Sequence, residues 1–431
     1  MNPKLIHPRD QIVEIIGRIY RRGLTTTSGG NISIMDQNGD IWVTPSGVDK
    51  GTLTAADMVW VKRDGTITGQ HKPSSEYPFH KAIYQSRPDI RAIVHAHPPA
   101  LVSFSIVRTY PDTRVIPQAH AICGEIGYAP YELPGSEELG RSIAMQFEKG
   151  HNSVIMENHG TVVGGKDLQE AFQRFETLEF SARSLLFAKM LGEPNYLTDQ
   201  QIEAFEAQYA TSLPDLKHVE YPPDELAIRS EICRMVQRAC QQGLMISTYG
   251  TVSARWKGND FLITPRNVSR WDLELSDVVQ IRDGKKEPGK IPSRSVRIHQ
   301  EIYGQNPDIQ AIILTQAPYS MAFALTGQCF NDRTIPESWI LLQDIPILPF
   351  GSHFAGQNQI SSILGPKHPV LIIQNDSILV TGKNLLHAFD RLEVAEFSAR
   401  SLIYSKHLGE LKPISTDQIE ALREKFFPSS G

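Results

Sequence analysis

Two histidines stand two residues apart in R-A-I-V-H-A-H-P-P-A (91–100), and a third follows in E-N-H-G (157–160). On an extended strand, residues i and i+2 project from the same face. His95 and His97 therefore present their imidazoles together at the end of an apolar run. This spacing alone leaves two readings open: a metal-binding pair, or polar residues that cap a strand. A carboxylate, Glu76, closes P-S-S-E at 73–76. Three neutral imidazoles and one carboxylate suit Zn²⁺, which takes nitrogen and oxygen ligands; Mn²⁺ and Co²⁺ remain open. Imidazoles leave the charge of the ion uncancelled, so it would act as a strong Lewis acid on a carbonyl or an enediolate. Glu76 could ligate such an ion, then swing away as a general base when substrate arrives. A shell of cysteines would indicate a structural ion instead, and none is present.

The chain carries its own control, because most of it is written twice. E-F-S-A-R-S-L occurs at 179–185 and again at 396–402. In the same order, 20–33 matches 240–253, 41–65 matches 261–284, 87–100 matches 306–320 and 152–163 matches 369–380. A repeat this long is a duplicated domain, not a solenoid unit. The expected organisation is a catalytic domain over 1–212, a linker over 213–223 rich in Pro and charge, and a non-catalytic copy over 224–431. In the second copy Glu76 is replaced by Ser295, His95 by Leu314, His97 by Gln316 and His159 by Asp376. One carboxylate and three imidazoles vanish together while the surrounding apolar pattern persists. Independent packing residues have no reason to disappear as a set, whereas the ligands of one ion do. The comparison selects the metal reading for His95, His97, His159 and Glu76. His80, by contrast, has a counterpart in His299 and reads as structural.

The elements that must position these residues can be read from periodicity. Ile12, Ile15, Ile16 and Ile19 share one face of an opening helix that Gly23 stops. Short strands follow in N-I-S-I-M-D, D-I-W-V-T-P and M-V-W-V-K-R-D-G, then a helix from near Ser75, the strand I-R-A-I-V-H-A and an apolar helix after the prolines. The strand S-V-I-M-E-N leads to His159, and a long helix, L-Q-E-A-F through A-K-M-L, closes the copy. Each copy is therefore expected to be α/β, a central, mostly antiparallel sheet flanked by helices. Three polar loops accompany the metal residues: S-G-G-N (28–31), T-P-S-G (44–47) and P-S-S-E (73–76). Singly they read as turns. Together, with glycines that admit backbone N–H groups and a helix start at P-S-S-E, they suggest a small phosphorylated substrate.

Composition bounds the rest. The 431 residues are 40% hydrophobic and 21% charged, with a formal charge of −5. There is no basic excess to attract nucleic acid, no apolar run long enough to span a membrane, and no apolar core of a secretion signal at the N-terminus. A cytoplasmic protein is expected. The four cysteines form no C-x-x-C pair; Cys233 and Cys240 fall at helical spacing, as buried thiols do.

T-T-T-S-G-G-N-I-S, T-P-S-G, P-S-S-E, H-A-H-P and E-N-H-G, in this order over residues 9–209, resemble the class II aldolase/adducin family. The resemblance implies a three-layer αβα fold in each copy, with Zn²⁺ on His95, His97 and His159 and Glu76 as both metal ligand and catalytic acid/base. It also implies phosphate contacts at Gly30, Asn31, Ser46, Gly47, Ser74 and Ser75. The sub-family most similar is that of L-fuculose-phosphate aldolase, an aldehyde-lyase that splits a ketose phosphate through a metal-stabilised enediolate. A sugar-phosphate 4-epimerase, a decarboxylase, a dehydratase and a non-enzymatic adducin-like module are the alternatives. Such aldolases are similar in using tyrosines to protonate the leaving fragment. Here the loop offers His120, which also reads as an ordinary polar residue, and the tail offers Tyr209 or Tyr196. Family members resemble tetramers with sites at subunit interfaces. A dimer of tandem chains, pseudo-tetrameric and with the second copy walling the first copy's site, is the expected assembly.

Overall fold

The computed structural model describes residues 6–207, 213–354 and 359–427. These divide into two compact units, one of residues up to 113 together with 118–183, the other of 114–117 together with those from 184 onward.

In the first unit, α1 (Pro8–Arg21) buries Ile12, Ile15, Ile16 and Ile19, and the chain leaves it through Gly23 at φ +66. That left-handed backbone costs a residue without Cβ nothing. Eight strands form one sheet: β1 (Asn31–Met35), β2 (Ile41–Val43), β3 (Val59–Val61), β4 (Ile67–Thr68), β5 (Ala92–Ala96), β6 (Gly127–Ala129), β7 (Ser153–Met156) and β8 (Gly160–Gly165). Their spatial order is β4-β3-β2-β1-β5-β8-β7-β6. Every neighbouring pair is antiparallel except β6 with β7. The helices are α2 (Tyr77–Ser86), α3 (Pro99–Ile106), α4 (Pro117–Cys123), α5 (Glu137–Glu148) and α6 (Leu168–Leu191). The helix expected from near Ser75 thus starts two residues later, with Glu76 at its N-cap.

Both faces of the sheet are covered, as an αβα arrangement requires. Along β7, Val154 and Met156 enter a core shared with Phe79 and Ile83 of α2 and Leu139, Ile143 and Phe147 of α5. Ile155, pointing the other way, joins Leu101 of α3 and Leu178 and Ala182 of α6. Burying a side chain of this size contributes about 1.5–3 kcal/mol, so these two cores hold the central strands rigid.

The second unit repeats the plan, with eight strands in the same order and one parallel pair, Ile347–Leu348 with Val370–Ile373. Its first long helix, Pro223–Gln242, begins at the proline that the sequence marks. Cys123, Cys233 and Cys240 are buried, and Cys329 is exposed. Among the described residues no helix is long and apolar enough to cross a membrane.

Candidate metal centre

Three adjacent strands carry the site. Asn31, the first residue of β1, lies opposite His95 on β5, and His95 lies opposite Val162 on β8. His97 follows the end of β5, and His159 immediately precedes β8. Glu76 enters from the start of α2. Glu76, His95, His97 and His159 each offer a ligand atom, and these atoms all lie within 4.8 Å of one another. His95 Nε2 stands 3.1 Å from Glu76 Oε2, His159 Nε2 stands 3.1 Å from Glu76 Oε1, and the Nε2 atoms of His95 and His97 are 3.0 Å apart.

The surroundings fix which atoms face inward. His95 is fully buried and its Nδ1–H donates to the Thr161 carbonyl at 2.9 Å, which leaves the Nε2 lone pair for the cluster. Asn31 Nδ2 donates to Glu76 Oε2 at 2.8 Å. Asn31 Oδ1 in turn accepts from His80 Nε2 at 2.5 Å, and His80 Nδ1 accepts from Ser33 Oγ at 2.7 Å. Glu76 Oε1 is buried, with His159 Nε2 3.1 Å away. Burial acts to raise the Glu76 pKa. The charge of His95 and the hydrogen bonds of His159 and His95 outweigh it and hold the carboxyl well below the usual range. Burial, reinforced by the neighbouring imidazoles, pushes His97 down to about 3, so it stays neutral, the form in which imidazole binds metal.

This donor set fits a divalent metal. A carboxylate and three imidazoles, one of them held lone-pair-inward, bring their ligand atoms within 4.8 Å of one another, the donor types and spacing that one ion takes.

The three loops meet around the same point. Pro45 and Pro73 form a bridge that sets T-P-S-G against P-S-S-E, and the Asn31–Glu76 bond ties S-G-G-N to the latter. Ser46, Gly47 and Ser75 are exposed, whereas Gly30, Asn31 and Ser74 are buried. Ser74 Oγ accepts from the Glu76 N–H at 3.3 Å. Gly30 adopts φ +72, and a Cβ there would lie 2.8 Å from the His95 carbonyl. Beneath the T-P-S-G loop, buried Lys50 donates through Nζ to the carbonyls of Pro45 and Val48, both at 3.2 Å. His120 stands outside the four-residue cluster: on α4, its Nδ1 bonds Thr113 Oγ1 at 3.0 Å. Tyr209 lies outside the described residues, and Tyr196 is exposed.

Two residues that shape the site escape sequence reading. A Cβ at Gly29 would lie 2.9 Å from His97 Nδ1, and one at Gly160 would lie 2.8 Å from His97 Cδ2 and 2.6 Å from the Ala96 carbonyl. Both glycines give His97 its room. The signal was available in the copies: where His97 becomes Gln316, these glycines become Tyr249 and Ser377.

The chain belongs to the family of the class II aldolase and adducin N-terminal domain, whose model matches residues 10–186 and again 230–403. Among its relatives, 3-oxo-tetronate 4-phosphate decarboxylase of Haemophilus influenzae is 30% identical over 203 residues, 46% of this chain and 95% of that protein. L-fuculose phosphate aldolase of Methanococcus maripaludis is 36% identical over 172 residues, 39% of this chain and 91% of that protein. A solved structure from Escherichia coli, described as a candidate aldolase/epimerase/decarboxylase, is 29% identical, covers 46% of this chain and 96% of its own, and has a TM-score of 0.43.

Proposed function

We propose that this chain is a zinc-dependent aldehyde-lyase that cleaves a ketose phosphate through an enediolate, in the manner of L-fuculose-phosphate aldolase. The observation that carries this reading is the convergence of Glu76, His95, His97 and His159, with ligand atoms within 4.8 Å of one another, beside three anion-competent loops. His95, His97 and His159 would hold the metal, with Glu76 completing the set. When bound, the ion supplies Lewis-acid stabilisation to the negative charge that develops beside the substrate carbonyl.

The chain's own residues supply the rest. Glu76 Oε2 is tethered by Asn31, while Oε1 faces His159 Nε2 at 3.1 Å and is the atom that takes up and returns a proton once the imidazoles are engaged elsewhere. The depressed pKa keeps Glu76 ionised, the form that ligates a cation. Gly30, Asn31, Ser46, Gly47, Ser74 and Ser75 bind the phosphate. Since Asn31 Nδ2 is bonded to Glu76 Oε2 and Asn31 Oδ1 to His80 Nε2, Asn31 also orients the base. Proton return to the leaving fragment is assigned to His120 or Tyr209.

A second reading, decarboxylation of a 3-oxo sugar-acid phosphate, is favoured by the decarboxylase relatives, which are 30% and 32% identical over 46% and 45% of the chain. Both reactions leave a carbanion next to a carbonyl and require the same residues. Incubation of the metal-loaded protein with ketose 1-phosphates should release dihydroxyacetone phosphate, read by a coupled dehydrogenase. Carbon dioxide together with that same triose from 3-oxo-tetronate 4-phosphate, with no triose released from any ketose 1-phosphate, would establish the second reading and reject the first.

A further inference from the structure

In the second copy the two loops that face the metal position in the first have become more basic. Glu76 becomes Ser295, Ser46 becomes Arg266 and Ser75 becomes Arg294: one negative charge is lost and two positive charges are gained at the same loops. The loops still meet. Pro265 and Pro292 form the same bridge, and the Arg266 N–H donates to the Ile291 carbonyl. Thr251 Oγ1, Ser293 Oγ and Ser295 Oγ form a closed ring of hydroxyls at 2.6–3.1 Å, at the positions of Asn31, Ser74 and Glu76. Ser295 is the N-cap of the ten-residue helix Val296–Gln305 and places no side-chain hydrogen bond on it. Arg294 lies with its guanidinium 4.7 Å over the ring of Phe205, which fixes its direction.

Two buried side chains have unsatisfied atoms facing this place. His299, fully buried, repeats the bond of its counterpart to a serine, Nδ1 to Ser253 Oγ at 2.7 Å. In the first copy the opposite nitrogen donates to Asn31. Here Thr251 is too short to reply, and His299 Nε2 has no partner. Gln316, 5% exposed, stands at the position of His97; its Nε2 donates to the Asp376 carbonyl at 2.8 Å and its Oε1 has no partner. The nearby carboxylate, Asp376, accepts from Ser377 Oγ at 2.6 Å and faces His353 Nε2 at 3.7 Å. Hydroxyls, guanidinium groups and a helix start make an anion end; an unused amide oxygen makes a hydroxyl-accepting end.

We propose that the second copy holds a metal-independent binding site for a small phosphate monoester bearing free hydroxyls, with Arg266, Arg294 and Ser295 at the phosphate and Gln316 at a hydroxyl. The site is separate from the catalytic reading of the first copy and does not depend on it. The test uses the full chain carrying His95→Ala and His97→Ala, stripped with a chelator, titrated calorimetrically with dihydroxyacetone phosphate and with inorganic phosphate. Arg266→Ser with Arg294→Ser, which installs the first copy's own residues, should weaken binding of both probes at least tenfold. Gln316→Leu should weaken dihydroxyacetone phosphate and spare inorganic phosphate. Should the double variant fail to fold, Ser295→Glu, which restores a carboxylate at the anion end, decides in its place by the same loss. No chelator-resistant binding, or binding indifferent to these arginine and serine changes, would overturn the proposal. No turnover is read, so the outcome is independent of the lyase assignment.

Discussion

At the scale of single residues, Asn31 sets the direction of Glu76 and Gly160 makes space for His97. Removing the Asn31 amide leaves Glu76 Oε2 and His80 Nε2 without their mutual link. Groups that orient ligands are commonly worth 10–100-fold in metal affinity or activity. Asn31→Ala is therefore expected to lower turnover by about that factor while the three histidines keep the metal, which a parallel measurement of kcat and bound metal will check. An equal loss of metal and rate would show that Asn31 only holds the site together. Gly160→Ala acts differently. Its Cβ would lie 2.6 Å from a backbone carbonyl, which cannot yield, and 2.8 Å from the His97 ring. His97 must move, so bound metal is expected to fall in this variant; unchanged metal content would contradict the packing argument. These two residues also mark what the sequence could and could not tell. His95, His97, His159 and Glu76 were legible because ligands are chemical types and vanish as a set in the second copy. The resemblance implies Asn31 as a phosphate contact; its bond to Glu76 was not legible, because residues 31 and 76 meet only through the packing of a strand end against the start of α2.

At the scale of elements, each copy fastens its site helix to the sheet with the same buried triad. His80 and Tyr84 of α2 both bond Ser33 Oγ of β1 at 2.7 Å, and His299 and Tyr303 bond Ser253 Oγ at 2.7 and 2.8 Å. Burial pushes His299 down to about 3, and His80 to about 3 with the His95 charge assisting. An unfolded histidine takes up its proton near pH 6.5, whereas the folded one waits until about 3. Between those values the unfolded chain binds more protons, so stability is complete above about 6.5 and declines as pH falls toward 3, on the order of a few kcal/mol per buried histidine. His299→Gln should therefore flatten the fall in melting temperature between pH 7 and pH 4.5, even if it lowers stability at pH 7. An unchanged slope would mean His299 protonates in the folded state. The triad explains why His80 recurs as His299 when His95, His97 and His159 have no histidine counterparts: it fastens a helix in both copies. Other elements were harder to read. The helix α1 and strands β1 and β5 show clear periodicity, whereas β8, G-T-V-V-G-G, is buried along its whole length and rich in glycine. A strand covered on both faces has no polar phase to betray it, and its glycines read as turn. The long helix α6 was visible because its 24 residues give the period room to repeat.

At the scale of the whole molecule, duplication has produced two sheets of identical strand order and two different sites. We take the copies as 1–212 and 224–431, joined by 213–223. If the tandem chain assembles as a dimer, light scattering will give twice the 48.2 kDa of one chain; a single-chain mass would reject that assembly. The more telling number is metal per chain. Strand order, loop bridges, buried triad and even the left-handed residue before the third ligand position, Asn158 in one copy and Asn375 in the other, are shared. What differs is the donor set. Leu314 offers no ligand atom, Gln316 offers a neutral amide oxygen where the first copy has an imidazole, and Ser295 is bound into a ring of hydroxyls. Among the described residues the only group of His, Cys, Asp and Glu side chains placed to hold an ion is that of the first copy. Scaffold alone does not bind a divalent metal; ligands of the right charge and softness do. The purified chain should therefore carry one equivalent of metal by elemental analysis, not two, and His95→Ala with His97→Ala should reduce it to near zero while the fold, judged by circular dichroism, is kept. Two equivalents in the unaltered chain, or one remaining in the double variant, would place an ion where the second copy has no imidazole ligands in line to receive it, and the division of labour between the copies would have to be abandoned.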